Sequence, residues 1–185
     1  MLRATELAHL LMRQSLKPGD WAVDATVGNG HDTLLLAELV GSSGRVIGFD
    51  VQEVALAAAT VRVAGLPQIK LIHAGHENLA EFLPVDKHER LAAVVFNLGY
   101  LPGASKEIVT RSETTLAALK QALTHLKTHG LVTLVLYPGH PGGEEEAEAV
   151  RSYVQQLPQA FAVTGYARIN SMGPAPELIV IERFS

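Results

Sequence analysis

AVDATVGNGHDT, residues 22–33, is the stretch on which the fold turns. An apolar run stops on an acid, Asp24, and a turn with two glycines, Gly28 and Gly30, leads into the helical pattern HDTLLLAELVG (31–41), closed by Gly41. Strand, glycine turn and helix make the first half of a βαβ unit. The cadence then repeats. GRVIGFD (44–50) is a second apolar stretch ending on an acid, followed by the helical VQEVALAAATVRVAG (51–65). IKLIHAG (69–75), LAAVVFNLG (91–99) and LVTLVLYPG (131–139) read as further buried strands. Residues 2–15 form an amphipathic helix with Leu2, Leu7, Leu10 and Leu11 among its apolar positions. Residues 112–128 form another, with Ser112 as its N-cap and Glu113 in its first turn. A third, GGEEEAEAVRSYVQQL (142–157), crowds its acids at the N-terminal end, where the helix dipole favours them. Two strands, AFAVTGYARIN (160–170) and PELIVIERF (176–184), close the chain across an SMGPAP turn. The expected architecture is α/β: a mostly parallel seven-stranded sheet with helices on both faces and an antiparallel C-terminal edge hairpin.

The chain has 185 residues, 48% hydrophobic and 18% charged, which suits one domain over 1–185 with a sizeable core. No apolar run reaches the ~20 residues of a membrane span. The N-terminus mixes charges into its helical pattern and lacks the apolar core of a signal peptide, so the expected location is cytoplasmic. The absence of cysteine excludes disulfides, thiolate metal sites, iron–sulfur clusters and a cysteine nucleophile. A net charge of −4 argues against a broad basic surface for nonspecific nucleic-acid binding. A local patch drawn from Arg3, Arg13, Lys17, Lys106 and Arg111 stays open.

In a doubly wound sheet, ligands sit beyond the carboxyl ends of the strands. Asp24, Asp50, His76, Asn97 and Tyr137 all fall at or just past such ends. Gly28 and Gly30 let the backbone turn tightly and let a ligand approach, and the helix beginning near His31 aims free amides at the same place. A nicotinamide dinucleotide would want a third glycine at position 33, which is Thr33, and Asp24 would repel its pyrophosphate. One acid for an ammonium and one, Asp50, for ribose hydroxyls suggest S-adenosylmethionine (SAM) instead. The plainer alternative is that Asp24 and Asp50 only cap helices or satisfy loop amides.

FNLGYLPG (96–103) sets Asn97, Gly99 and Tyr100 at a strand end. It resembles the [DNS]-P-P-[YFW] loop of amino-group methyltransferases, with Leu98 and Gly99 in place of the two prolines. An Asn side-chain oxygen and a following carbonyl can accept hydrogen bonds from an amine, and Tyr100 can stack on a planar base. YPGHPGG (137–143) shapes a loop around His140, a candidate for substrate contact or proton removal. His31 and His76 read as ligand-loop residues. No H-E-x-x-H pair occurs, so no metal is expected.

DATVGNGHDT, GFDVQ, VFNLGYLPG and YPGHPGG, in this order, resemble the small class I, Rossmann-like methyltransferases of the rRNA-methylase family (YtqB/MnmM type) from about Asp20 to the C-terminus. The resemblance implies methylation of the aminomethyl nitrogen of 5-aminomethyluridine at the tRNA wobble position, giving 5-methylaminomethyluridine. It implies a SAM site that includes Asn29, Asp32, Asp50, Gln52 and His76 beside Asp24, Gly28 and Gly30, with Asn97 by the methyl group. Tyr100, Tyr137 and His140 would lie toward the nucleotide, Asn97, Tyr100 and His140 being the candidate catalytic residues. Contacts from Arg111 or Thr114 to the anticodon stem-loop, and a homodimer, stay open.

The missing cysteine also bears on the reaction. Methylating C5 of a pyrimidine usually needs a cysteine that first adds at C6, whereas a deprotonated amine already carries its lone pair and needs only positioning. Another RNA, a small-molecule amine, or an NAD-binding or cofactor-sensing Rossmann protein remain the competing readings.

Overall fold

The computed structural model describes residues 1–83, 90–99 and 110–185. Seven strands form one sheet: β1 (Trp21–Asp24), β2 (Arg45–Asp50), β3 (Ile69–His73), β4 (Leu91–Asn97), β5 (Leu126–Leu136), β6 (Phe161–Tyr166) and β7 (Glu177–Arg183). Their order is β3-β2-β1-β4-β5-β7-β6. The pairs among β1 to β5 are parallel, and β7 runs antiparallel to both β5 and β6. The seven strands and the closing hairpin read from the sequence are therefore present. The chain order reverses between β1 and β4, so the crevice for a ligand opens at the carboxyl ends of these two strands.

The central strands are buried on both faces, which is why they read as continuous apolar runs rather than alternating ones. Val94 and Phe96 of β4 face a core built with α4 (Ser112–His125), α5 (Gly143–Val154) and the 3-10 helix His76–Phe82. Ala93 and Val95 face the other side, against α1 (Ala4–Ser15) and α2 (His31–Val40). The last helix, α3 (Glu53–Arg62), buries Ala55 and Ala59.

Three local expectations change. The α1 stripe is Ala4, Ala8 and Met12, while Leu2 and Leu10 stay exposed. The small residues let the helix lie close to Val135 and Leu178 of the sheet. The N-cap of α4 is Arg111, with Ser112 already helical. That helix stops at His125 rather than 128, because fully buried Leu126 joins β5 and pairs with Leu91. Regular pairing then resumes only at Leu131 opposite Ala93, and His129 takes φ 60° in the intervening bulge.

Seating α1 on the sheet matters for the site below, since this helix carries His9. Enlarging Ala8, 2% exposed, overpacks that contact. Ala8→Leu is expected to cost about 1–3 kcal/mol of unfolding free energy, measured by urea denaturation, where an exposed Leu10→Ala change costs under about 0.5 kcal/mol.

Candidate active site

The carboxyl ends of β1, β2 and β4 enclose a cleft of about 680 Å³, within the range of small-molecule sites. Its walls include Asn29, Asp32, Asp50, Gln52, His76 and Asn97. The glycine turn forms one side. The Val27 N–H donates to the Phe49 carbonyl (3.0 Å) and the Gly30 N–H to the Val27 carbonyl (2.8 Å). Gly28 and Gly30 have φ of 50° and 79°, which favour glycine. A Cβ at Gly30 would also stand 3.0 Å from both Cα and Cβ of Ala59, so this glycine serves the approach of α3. The Arg62 Nε donates to the Asn29 carbonyl at 2.6 Å and ties the same turn to α3.

Asp50 governs the turn. One carboxylate oxygen accepts the Gly28 N–H and the other the Gln52 N–H, each at 2.8 Å. Each oxygen keeps a further acceptor position, and the residue lines the cleft. Asp24 lies elsewhere. It is 0% exposed and is not on the cleft wall. Its oxygens accept the Thr33 hydroxyl (2.6 Å) and the Thr26 N–H (3.1 Å). The sequence pattern offered Asp24 to a cationic amine; in the structure it ties β1 to α2, and Thr33, where a dinucleotide motif has glycine, is its partner. Its carboxyl is pushed up to about 7, first by burial and then by the charge of Asp32, against the pull of the Thr33 and Thr26 hydrogen bonds.

Asp32 carries a second chain of contacts. One oxygen meets His9 Nε2 at 2.6 Å and the other accepts from Asn97 Nδ2 at 3.4 Å. A carboxylate only accepts, so this contact fixes the Asn97 amide with its nitrogen toward Asp32 and leaves Oδ1 as the free acceptor. Among the described residues no group donates to that oxygen. The Asn97 N–H is held by the Thr26 hydroxyl at 2.7 Å. His9 had no signal in the sequence beyond being a lone histidine on an amphipathic helix.

His76 is 7% exposed, and its Nδ1 donates to the Ala25 carbonyl at 2.9 Å. That tautomer leaves Nε2 as an acceptor, buried and without a partner among the described residues. Burial lowers the His76 pKa. Tyr137 lines the cleft and its phenol is pushed up by burial, then by Asp32. Arg111 and Thr114 stand at the cleft wall, Arg111 being the one Lys or Arg among the described lining residues. His140 lies behind the wall: a Cβ on Gly99 would come 3.6 Å from its Nε2, and its Nδ1 donates to the Pro141 carbonyl (3.0 Å). Tyr100 and Lys106 lie outside the described residues.

A further group escaped the sequence reading. Gly99 and Thr110 bond reciprocally, Gly99 N–H to Thr110 Oγ1 (2.9 Å) and Thr110 N–H to the Gly99 carbonyl (3.0 Å). The Thr110 hydroxyl donates onward to Glu146 (2.7 Å), whose other oxygen accepts from Thr115 (2.6 Å). In the sequence Glu146 was one acid of three at a helix start; it is the buried one. Among the described residues no three His, Asp or Glu side chains gather as a metal would require. The sequence's H-x-x-x-H pair, His125 and His129, straddles the end of α4, so its spacing does not put both on one helix face.

A family model described as "Putative rRNA methylase" matches residues 46–182. The chain belongs to that family. A "putative rRNA-methylase" from Clostridium thermocellum shares its fold at TM-score 0.94 and 39% identity, over 100% of this chain and 99% of that one. A Streptococcus mutans "putative methyltransferase", solved in complex with S-adenosylhomocysteine (SAH), aligns at TM-score 0.88 and 34% identity over the same shares. The chloroplastic tRNA (mnm5s2U34)-methyltransferase of Arabidopsis thaliana is 41% identical over 167 residues, 84% of this chain. The chain spans 60% of the length of that relative. The class I methyltransferase fold is thus the fold of this family member.

The raised Asp24 pKa has a consequence for stability. Between about pH 4 and 7 the folded protein holds a proton that the unfolded chain has released. This group's contribution is therefore greatest at acid pH, declines as pH rises toward 7, and is level above. Asp24→Asn keeps an acceptor for Thr26 and removes the titration. The stability of the variant relative to wild type is expected to rise between pH 5 and 8 by on the order of 1–3 kcal/mol. The depressed His76 titrates in both proteins and cancels in that difference. Parallel urea titrations at the two pH values check this, and a constant difference would contradict it.

Proposed function

We propose that this chain is a SAM-dependent N-methyltransferase that methylates the aminomethyl nitrogen of 5-aminomethyluridine at the tRNA wobble position, giving 5-methylaminomethyluridine. The observation that carries the reading is Asn97. Its amide is turned by Asp32 so that Oδ1, to which no described residue donates, is an acceptor at the cleft, and an acceptor there suits an amine nucleophile. The relative named a tRNA (mnm5s2U34)-methyltransferase supports a tRNA acceptor over the rRNA of the family's description.

The cleft fits SAM on its own features. Asp50 offers spare acceptor positions to ribose hydroxyls, and the Gly28–Asn29–Gly30 turn exposes backbone without side-chain bulk. His76 Nε2 is a buried acceptor that wants a donor. Asp32 and Gln52 complete the holding set. When bound, SAM supplies an electrophilic methyl group on a sulfonium. The chain's own residues then orient the acceptor: Asn97 Oδ1 takes a hydrogen bond from the amine and leaves the nitrogen lone pair free to point at the methyl. Tyr137 and Arg111 face the nucleotide from the wall, Arg111 toward phosphate. Tyr100 belongs to the same proposal by its motif. His140, behind Gly99, shapes the wall. No described helix is long and apolar enough to cross a membrane, and we place the enzyme in the cytoplasm with its tRNA.

Asp50→Ala removes charge-assisted hydrogen bonds of about 1.5–3 kcal/mol, so SAM affinity by calorimetry is expected to fall roughly ten- to a hundredfold with the fold intact. Asn97→Ala is expected to lower turnover far more than SAM affinity, because positioning acts on the chemical step. The acceptor is tested with two tRNAs that differ only in bearing 5-aminomethyluridine or plain uridine at the wobble position. Methyl transfer to the first alone supports the reading; equal transfer to both rules out the aminomethyl nitrogen.

A further inference from the structure

We propose that Thr110 and Glu146 are positioning residues for methyl transfer, locking the end of β4 so that Asn97 is held still when the acceptor arrives. The inference rests on the methyl-transfer reading of the cleft. It starts from three consecutive backbone amides. The Asn97 N–H goes to the Thr26 hydroxyl of the glycine turn, the Leu98 N–H to the Val135 carbonyl of β5, and the Gly99 N–H to the Thr110 hydroxyl ahead of α4. Three different parts of the chain thus pin three successive residues. The first and third pins end on rotatable hydroxyls, and among the described residues it is the third whose own proton has a stated acceptor. A threonine hydroxyl accepts reliably in one direction only when its own proton is committed elsewhere.

Glu146 commits it. One carboxylate oxygen takes the Thr110 proton at 2.7 Å, which turns the hydroxyl's lone pairs toward Gly99. The other takes the Thr115 proton at 2.6 Å, so neither oxygen is left unsatisfied. Glu146 is 3% exposed, and the only hydrogen-bond partners its carboxylate has among the described residues are these two hydroxyls. Burying a carboxylate without a cation is costly, and an apolar side chain would fill the same site with less penalty. Packing alone does not account for an acid here; orienting Thr110 does. The demand on Gly99 is equally specific, for its φ of 131° is one that side chains rarely adopt. The Glu146 N–H bonds to the Gly142 carbonyl and the Gly143 N–H to the His140 carbonyl, so the clasp also anchors the turn that carries His140.

The test compares Thr110→Val, which keeps the shape and loses the hydroxyl, with Thr110→Ser, which restores it. Val150→Ala, a cavity variant on the same α5, reports what plain destabilisation does. Methyl transfer is measured on bulk tRNA from cells lacking the gene, SAH affinity by calorimetry, and the Gly99 amide by hydrogen exchange. Thr110→Val is expected to speed Gly99 exchange and cut turnover at saturating SAM and tRNA by about tenfold or more, with SAH affinity within about threefold of wild type. Thr110→Ser is expected to recover both, and Glu146→Gln to fall between. Turnover left intact in Thr110→Val would overturn the proposal, as would an equal loss in Val150→Ala or a serine that fails to rescue. The methylated nucleoside, identified by mass spectrometry, tests the acceptor separately. A wild-type product other than 5-methylaminomethyluridine would sink the wobble-amine reading and leave the Thr110 comparison to decide the clasp; no transfer to any tRNA would overturn both.

Discussion

The carboxylate of Asp50 holds two turns at once, and the site depends on it. One oxygen fixes the Gly28 amide in the β1–α2 turn and the other fixes the Gln52 amide ahead of α3. Both turns begin helices, and helix starts carry amides that need partners. An acid at the end of β2 meets that need for its own turn and for its neighbour's. The geometry works only if the first turn comes close, and this constrains α3 in return. Gly30 packs against Ala59 with no room for a Cβ, so Ala59 of α3 is the counterpart of Gly30 in VGNG. Two residues some thirty positions apart are small for one reason. The acid that ends β1 then has a different task, since its amide partner and the Thr33 hydroxyl leave it enclosed.

The sheet was legible because burial writes itself into sequence as apolar runs bounded by glycine and acids. The central strands could be read that way, and the reversal of the last pair from two strands with only a short turn between them. Asp50 and Asn97 were legible because strand ends in a doubly wound sheet point at the ligand crevice. Asp24 obeyed the same rule by position and departed from it by depth: a one-dimensional pattern gives the end of a strand but not which side chain the next helix covers. His9, Thr110 and Glu146 were illegible for a related reason. Each reaches the site through contacts 23, 11 and 36 residues apart in the chain. Glu146 was the hardest of these, since it hides in a run of acids that the helix dipole alone would explain.

Among the described residues two acids are buried without a cation, Asp24 and Glu146. Both are satisfied by threonine hydroxyls, Asp24 by Thr33 and Glu146 by Thr110 and Thr115. The choice of hydroxyl over cation has a consequence. A hydroxyl given away to an acid keeps its own oxygen free to accept, so the acid can organise backbone amides at second hand. An arginine in the same place would end the chain of contacts, because it has no acceptor to offer. A fourth threonine, Thr26, takes part from both sides: its amide donates to Asp24 and its hydroxyl accepts from the Asn97 amide.

The acids also bear on how an RNA would enter. Asp32, Asp50 and Glu77 line the cleft, and Arg111 is the one fixed cation among its described lining residues. Phosphates are repelled by such a lining, whereas an aminomethyl group is attracted to it while it is still an ammonium. On the proposed reading the backbone therefore stays at the rim near Arg111 and the modified base alone goes in, splayed from its neighbours as single-stranded bases can be. The same field that draws the ammonium inward opposes loss of its proton, and an ammonium has no lone pair with which to attack. What offsets this is placement: Asn97 presents a neutral oxygen rather than a carboxylate, so it can orient the amine without adding a further negative charge that would keep the proton in place. An aspartate at position 97 would bind the ammonium more tightly and, by the same charge, hold it in its unreactive form.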